Sequence, residues 1–318
     1  MILTTTPNPC IHKIVTFHGD PDGRVVVRPV RSRWQIGGKG VNAARAAHRL
    51  GGAVKALTTH GGWAGRLLLD ELAGEGLSVV PVEVEAETRM STFICSVDTG
   101  GFREFLEHGG PVRVAEIERL KDAFLAALDE ASLVTLNGSV PAAGLDEFFA
   151  WAVERARERS VPSFVDTYGP PAPRAAAAGP WLLKANRTEI EESYGVRIAD
   201  DRARAAFARE RFADGTTWVL VTDGARGSWL YGEGATHRFL SPDVDERNPV
   251  GSGDAMLGAI AAAVDRGDDL VEAVRLGTAA GAANAARVGV CDFEAAEVLD
   301  LLDAVEVTSS RFEAPSRA

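Results

Sequence analysis

Cysteine, basic charge and long apolar runs are all scarce in this chain, and each scarcity removes a class of function. Only Cys10, Cys95 and Cys291 occur in 318 residues, odd in number and far apart. They suit neither a disulfide framework nor a zinc cluster. Buried thiols in a reducing, cytoplasmic setting are the expectation. Lys and Arg total 34 against 45 Asp and Glu, a formal net charge of −11. Binding to a nucleic-acid backbone needs a basic face, so no nucleic-acid partner is expected. Small phosphates remain accessible wherever positive groups gather locally. No apolar run reaches the roughly 18–20 residues of a membrane span, and no membrane partner is expected. Met1-Ile2-Leu3-Thr4-Thr5-Thr6 lacks the basic start and apolar stretch of a secretory leader.

What remains is a chain that is 46% hydrophobic, enough for a full core. Short β-rich runs alternate with helical spacings. Strands are expected at Ile2–Thr6, Val25–Val30, Val54–Thr58, Val79–Val84, Leu133–Leu136, Ser163–Val165, Trp181–Leu183, Trp218–Thr222 and Ser228–Tyr231. Helical spacing marks Val41–Leu50, Trp63–Ala73, Ala115–Leu128, Leu145–Arg159, Thr188–Tyr194, Arg202–Phe212, a stretch from Asp254, and Leu270–Val288. Repeated β-then-α units imply a mainly parallel sheet covered by helices on both faces. Val25–Val30 and a hairpin over Thr92–Leu106, turning at Asp98-Thr99-Gly100-Gly101, lack helices between them. They suggest a small separate sheet, a lid over a cleft. Ala172–Gly179 is too short for a linker, and the polar tail 307–318 is expected to fray. One α/β domain over 1–306 results, with lid strands drawn from about 12–36 and 89–106.

Four segments carry chemistry. Asn248-Pro249-Val250-Gly251-Ser252-Gly253-Asp254 runs straight into an apolar helix. A helix start presents unpaired N–H groups and partial positive charge, and glycines let an anion approach. Asp254 beside that hole suits a base activating a hydroxyl for attack on a phosphoryl group. Asp254 as a plain helix cap is the competing reading. Gly37-Gly38-Lys39-Gly40-Val41-Asn42-Ala43-Ala44 is no Walker A loop, lacking a closing Gly-Lys-Ser/Thr. Its Gly38-x-Gly40-x-x-Ala43 fits the loose dinucleotide pattern, but no acid follows about 20 residues later to hold a ribose. Glycines facing a polyhydroxyl substrate, with Asn42 bonding it, are the alternative. Asn186-Arg187-Thr188-Glu189 opens a helix after a strand. It could order Mg2+ through waters or simply cap that helix. Thr222-Asp223-Gly224-Ala225-Arg226-Gly227 lies at another strand end, lining a nucleotide pocket or turning a hairpin.

In this order, the four segments resemble the ribokinase-like carbohydrate kinases, the PfkB family, over nearly the whole length. Thr6-Pro7-Asn8-Pro9, Thr88-Arg89 and Gly138-Ser139-Val140-Pro141 resemble the phosphosugar branch of that family. The resemblance implies a three-layer α/β/α sandwich with a mainly parallel central sheet and a small β lid. It implies transfer of the γ-phosphoryl group of ATP to a phosphorylated ketohexose of the fructose-1-phosphate, tagatose-6-phosphate or fructose-6-phosphate type. Asp254 would be the base, and Gly251, Ser252 and Gly253 the anion hole. Gly38, Lys39, Gly40 and Asn42 would hold the sugar, and Arg89 and Ser139 its phosphate. Asn186, Glu189 and Asp166 would organise Mg2+. Lys184, Asn186, Thr222, Gly224 and Gly227 would contact ATP, with Asn284 near the adenine. The resemblance leaves room for a monovalent cation and suggests a homodimer joined through the lid strands.

Two positions depart from the family pattern. His12 stands where the family carries an Asp that accepts bonds from sugar hydroxyls, and Pro249 replaces a Thr. A neutral histidine offers one acceptor where a carboxylate offers several, which bears on acceptor choice. Arg24, Arg28, Arg31 and Arg33 add local positive charge beside the lid. Two further readings stand: a kinase of an unphosphorylated sugar or nucleoside, and a non-catalytic sensor on the same fold.

Overall fold

Ile2 and Leu3 are neighbours in sequence but sit in different hydrophobic cores. Successive side chains of a strand point to opposite faces, so a strand buried at both positions belongs to a sheet covered on both sides. The computed structural model describes residues 1–19, 26–96, 98, 102–141 and 143–312. Arg24, the first residue of the Val25–Val30 run, most of the hairpin turn at 98–101 and the tail from 313 lie outside the described residues.

The first stretch supplies strands β1 (Ile2–Thr6), β2 (Cys10–Phe17) and β3 (Arg31–Gly37), then helix α1 (Lys39–Arg49). There follow β4 (Val54–His60), α2 (Gly62–Gly74), β5 (Ser78–Glu83), β6 (Met90–Ser96), β7 (Phe102–Leu106), α3 (Val114–Leu128) and β8 (Leu133–Asn137). The middle adds α4 (Phe148–Glu158), β9 (Ser163–Asp166), α5 (Pro171–Ala177), β10 (Leu182–Asn186), α6 (Arg187–Tyr194) and α7 (Asp201–Ala213). The chain ends with β11 (Trp218–Thr222), β12 (Ser228–Gly232), β13 (Ala235–Leu240), α8 (Ser252–Asp265), α9 (Leu270–Ala285), α10 (Ala295–Leu302) and β14 (Glu306–Arg311).

Ten strands form one sheet in the order β14-β13-β12-β11-β10-β9-β8-β1-β4-β5. From β5 to β11 the pairs are parallel, and β12, β13 and β14 add an antiparallel edge. Residues of α1, α2, α8, α9 and α10 fill the core on one face. Residues of α3, α4, α5, α6 and α7 fill the other. Strand order turns outward in both directions from β1, with β4 on one side and β8 on the other. Open α/β sheets bind ligands at the carboxyl ends of strands beside such a switch. Gly258 lets α8 approach α1, since a Cβ there would meet the Ala43 carbonyl and the Ala46 side chain. The contact brings the first turns of both helices to that carboxyl edge.

A second sheet, β3-β2-β6-β7, is the lid. Its strands differ from the expected ones. Residues 26–30 are not a strand, and the Arg-rich segment after them is β3. β2 follows the Pro7-Asn8-Pro9 break directly. Its burial runs two buried, two partly buried, one buried rather than alternating, so no simple period announces it. The tail is corrected too: residues 307–311 belong to β14, paired along its length with β13.

Candidate active site

Three helix starts converge on a cavity of about 830 Å³ at the carboxyl edge of the main sheet. One is α8. Gly251 precedes it in the left-handed region at φ 82°, and no side chain caps the helix. A Cβ on Gly251 would collide with Val290, so glycine is required by space as well as by angle. Asn284 fixes this loop: its Nδ2 donates to Val250 O and Ser252 Oγ, both at 3.0 Å, and its Oδ1 accepts from Cys291 N at 2.7 Å. Asn284, expected near an adenine, is itself not among the residues that line the cavity. Its polar atoms are spent on the loop, and the α9 surface lining the cavity is instead Gly277, Thr278, Gly281, Ala282 and Ala285.

Asp254 sits in the first turn of α8, 8% exposed, and Oδ2 accepts from Asn42 Nδ2 at 2.8 Å. Burial pushes its carboxyl up to about 6, offset in part by Lys39 and by the Asn42 bond. A carboxyl near 6 is ionised at neutral pH yet basic enough to accept a hydroxyl proton.

The second helix start is α1. Gly38, Lys39 and Asn42 line the cavity, whereas Gly40 does not. A Cβ at Gly40 would run into the Thr5 carbonyl and Thr6 Oγ1 of β1. Gly40 therefore lets α1 press onto β1 and does not face a sugar, a second correction. Lys39 also turns away from a pure sugar role. Its Nζ donates to Asp166 Oδ1 at 2.7 Å, pairs closely with Glu189 Oε1, and lies 5.3 Å from the centre of the Tyr168 ring. Burial opposes this charge, but Asp166 and Glu189 outweigh it and hold the ammonium above the ordinary lysine range.

The third start is α6. Asn186 Oδ1 accepts from Glu189 N at 2.9 Å, and Glu189 Oε2 accepts from Asn186 N at 2.8 Å. This reciprocal cap is the structural alternative that the sequence left open. Asp166 lies under the cavity floor, 0% exposed, with Lys184 Nζ 2.6 Å from Oδ2 and Lys39 on Oδ1. Both its oxygens serve lysines, and it does not face the cavity, which corrects its place among metal ligands. Among the described residues no group of three His, Cys, Asp or Glu gathers to hold a metal. Mg2+ keeps several waters and leans on substrate phosphates, so a site with Glu189 as its facing carboxylate suits a metal arriving with a nucleotide.

Lys184, Thr222, Gly224 and Gly227 line the same cavity, as do Gly251, Ser252 and Gly253. A Cβ on Gly253 would lie 3.1 Å from Lys184 Nζ, so that ammonium stands beside the α8 start.

His12 and Arg89 line the opposite, lid end, with Glu104 and Leu106. His12 Nδ1 is 2.5 Å from Ser91 Oγ, and burial followed by the Arg89 and Arg45 charges lowers the imidazole to about 4. The ring is therefore neutral at ordinary pH. A Cβ on Gly37 would collide with it. The Arg89 guanidinium donates to the carbonyls of Asn8 at 3.1 Å and of Pro9 and Glu107 at 3.4 Å. Ser139 does not line the cavity; its Oγ accepts from Asn8 Nδ2 at 3.0 Å. Asn8 thus joins Arg89 to Ser139, a role that Thr6-Pro7-Asn8-Pro9 did not disclose. Tyr168 and Glu104 were missed as well, because nothing in their sequence neighbourhood marks them.

A doubly covered, mostly parallel sheet with a four-stranded lid over an uncapped helix start, a buried carboxylate and two lysines is the architecture of the ribokinase-like fold. Comparison with known proteins agrees. The model of the pfkB family carbohydrate kinases matches residues 6–296, and the chain belongs to this family of sugar kinases. It is 34% identical over 289 residues to the ATP-dependent 6-phosphofructokinase isozyme 2 of Mycobacterium tuberculosis, covering 89% of this chain and 83% of that one. It is 31% identical to the 1-phosphofructokinase of Haloferax volcanii, covering 98% and 99%. Phosphofructokinase-2 from Escherichia coli, in its tetrameric inhibited form, superposes with a TM-score of 0.86 at 25% identity, covering 95% of this chain and 98% of that one.

Proposed function

We propose that this sugar kinase transfers the γ-phosphoryl group of ATP to a hydroxyl of a phosphorylated ketohexose. The observation that carries the proposal is the shared cavity: Asp254, the uncapped start of α8, two lysines and Arg89 all meet there. Asp254 takes the proton of the acceptor hydroxyl. The N–H groups that follow Gly251 stabilise charge on the transferring phosphoryl oxygens. Lys184, beside Gly253 and anchored on Asp166, adds fixed positive charge at that point. Thr222, Gly224, Gly227 and the small-residue face of α9 line the nucleotide end. Mg2+ bound with ATP would neutralise phosphate charge, with Glu189 and Asn186 orienting its water shell. Arg89, steadied by the Asn8 carbonyl, anchors the acceptor's own phosphate. Curated relatives named as acting on phosphosugars support that assignment.

One observation favours a second reading, an unphosphorylated sugar: Arg89 already donates to three backbone carbonyls. Two of those contacts are 3.4 Å long, weak bonds that an incoming phosphate outcompetes. Coupled ADP release across phosphosugars, sugars and nucleosides tests the assignment. A ketohexose phosphate should give the highest kcat/KM, and Asp254→Asn should lower its turnover about a hundred- to ten-thousand-fold. Arg89→Ala should raise KM for that substrate at least about ten-fold. An unchanged KM moves the assignment to an unphosphorylated acceptor, and no ADP release with any acceptor leaves a sensor.

A further inference from the structure

We infer that Arg45, gripped by Glu75, is a positioning residue that fixes which end of the Asn42 amide meets Asp254 and thereby tunes the base. The inference rests on the reading of Asp254 as the base. Arg45 does not line the cavity and touches no reacting group. It lies one turn beyond Asn42 on α1 and is 5% exposed. Its Nη1 donates to Asn42 Oδ1 at 3.2 Å, and its Nη2 donates to Ile36 O at 3.0 Å. Its Nε and Nη2 grip the two Glu75 oxygens at 2.5 and 2.8 Å.

An asparagine amide can present either its oxygen or its NH2 group in nearly the same space. A guanidinium only donates, so it commits Oδ1 to itself and leaves Nδ2 to face Asp254. The flipped amide would set its oxygen against the Asp254 carboxylate and its NH2 against the guanidinium, two repulsive contacts in a buried place. The bond from Nδ2 favours the ionised carboxylate, against the burial that disfavours it. The other charged groups acting on Asp254 are Lys39 and Lys184, which favour ionisation, and Asp166, which opposes it. None of these bonds to Asn42. Glu75 lies at the end of α2, and its side chain is 33% exposed. A row of hydrogen bonds therefore runs from a half-exposed surface carboxylate to the reaction centre.

The test titrates Asp254 directly, by carboxyl 13C NMR assigned against Asp254→Asn, alongside the pH profile of kcat. In Arg45→Met the titration and the acid limb of kcat should both move up by about one pH unit. Turnover should then fall about three-fold near pH 6.5 and hold near pH 9, with KM unchanged. Arg45→Lys should fall between the two, keeping a donor to Asn42 without the fork. Glu75→Gln, at a site that opens no cavity, should give a smaller shift in the same direction and serves if Arg45→Met does not fold. An unmoved titration in whichever of these variants folds overturns the inference, as does a fall in kcat that high pH does not restore. A moved titration in a protein without kinase activity would sink the proposed reaction while leaving the positioning role standing.

Discussion

A carboxylate buried in a cavity wall is a burden on the fold. Asp254 has its carboxyl raised from an ordinary 3.8 to about 6, chiefly by burial. The folded state therefore holds this proton more tightly than the unfolded chain does. Stability drains away as pH rises between about 4 and 6, and the loss persists above that window. Asp254→Asn removes the charge while keeping the shape and a partner for Asn42. The variant should resist urea better than the parent near neutral pH, by about 1–3 kcal/mol, with the difference closing below about pH 4. A variant less stable than the parent at neutral pH would mean that Lys39, Lys184 and Asn42 more than compensate the buried charge. His12 shows the opposite adjustment: it is held neutral, so it presents no charge to the lid end of the cavity at ordinary pH.

At the scale of elements, the proposed anion hole depends on one backbone angle. Gly251 turns the chain into α8 at φ 82°, and Val290 fills the space where a side chain would go. Gly251→Ala adds strain in the left-handed region and a clash with Val290. It should cost about 1–3 kcal/mol of stability and lower kcat with the hole displaced. Urea midpoints and kcat measured on the same preparation check both, and a variant with unchanged kcat would separate the hole from this angle. Such demands are what made the site readable. A glycine that a turn requires, a cap three residues from its glutamate and a carboxylate at a helix start are local and leave local marks. Gly251, Asp254, Asn186 and Glu189 were therefore legible. Partnerships across the fold were not. Asn284 is polar on a helix near the cavity, and only the folded loops at Val250–Ser252 and Cys291 show where its amide is spent. Gly40 sits in a glycine-rich loop, but its neighbour is the Thr5 carbonyl. Among whole elements, β14 is polar and mostly exposed, and its pairing with β13 makes it a strand. α5 has proline at its start and only seven residues, too few for a period to emerge.

At the scale of the molecule, the lid has two different faces. Successive residues of a strand alternate sides, so His12 and Glu104, which line the cavity, share one face. Trp34, Lys13, Thr92 and Phe105 lie in register across the other. Trp34 is 36% exposed and Phe105 58%, and Lys13 Nζ sits 4.0 Å from the centre of the Trp34 ring. The sheet joins the main core through Ile11 and Ile36, and Trp34 packs edge-on against Trp63 of α2, 6.4 Å between ring centres, but Phe105 and the rim of Trp34 still leave apolar surface open to solvent on this side. A second copy meeting it about a two-fold axis would cover that surface with the same residues from each side. Light scattering at micromolar concentration should give twice the 33.7 kDa chain mass. Trp34→Ser together with Phe105→Ser should shift the protein toward the single chain, while the lid strands keep their backbone pairing. If the unaltered protein has the mass of one chain throughout that range, the lid works alone and the exposed aromatic row serves something other than assembly.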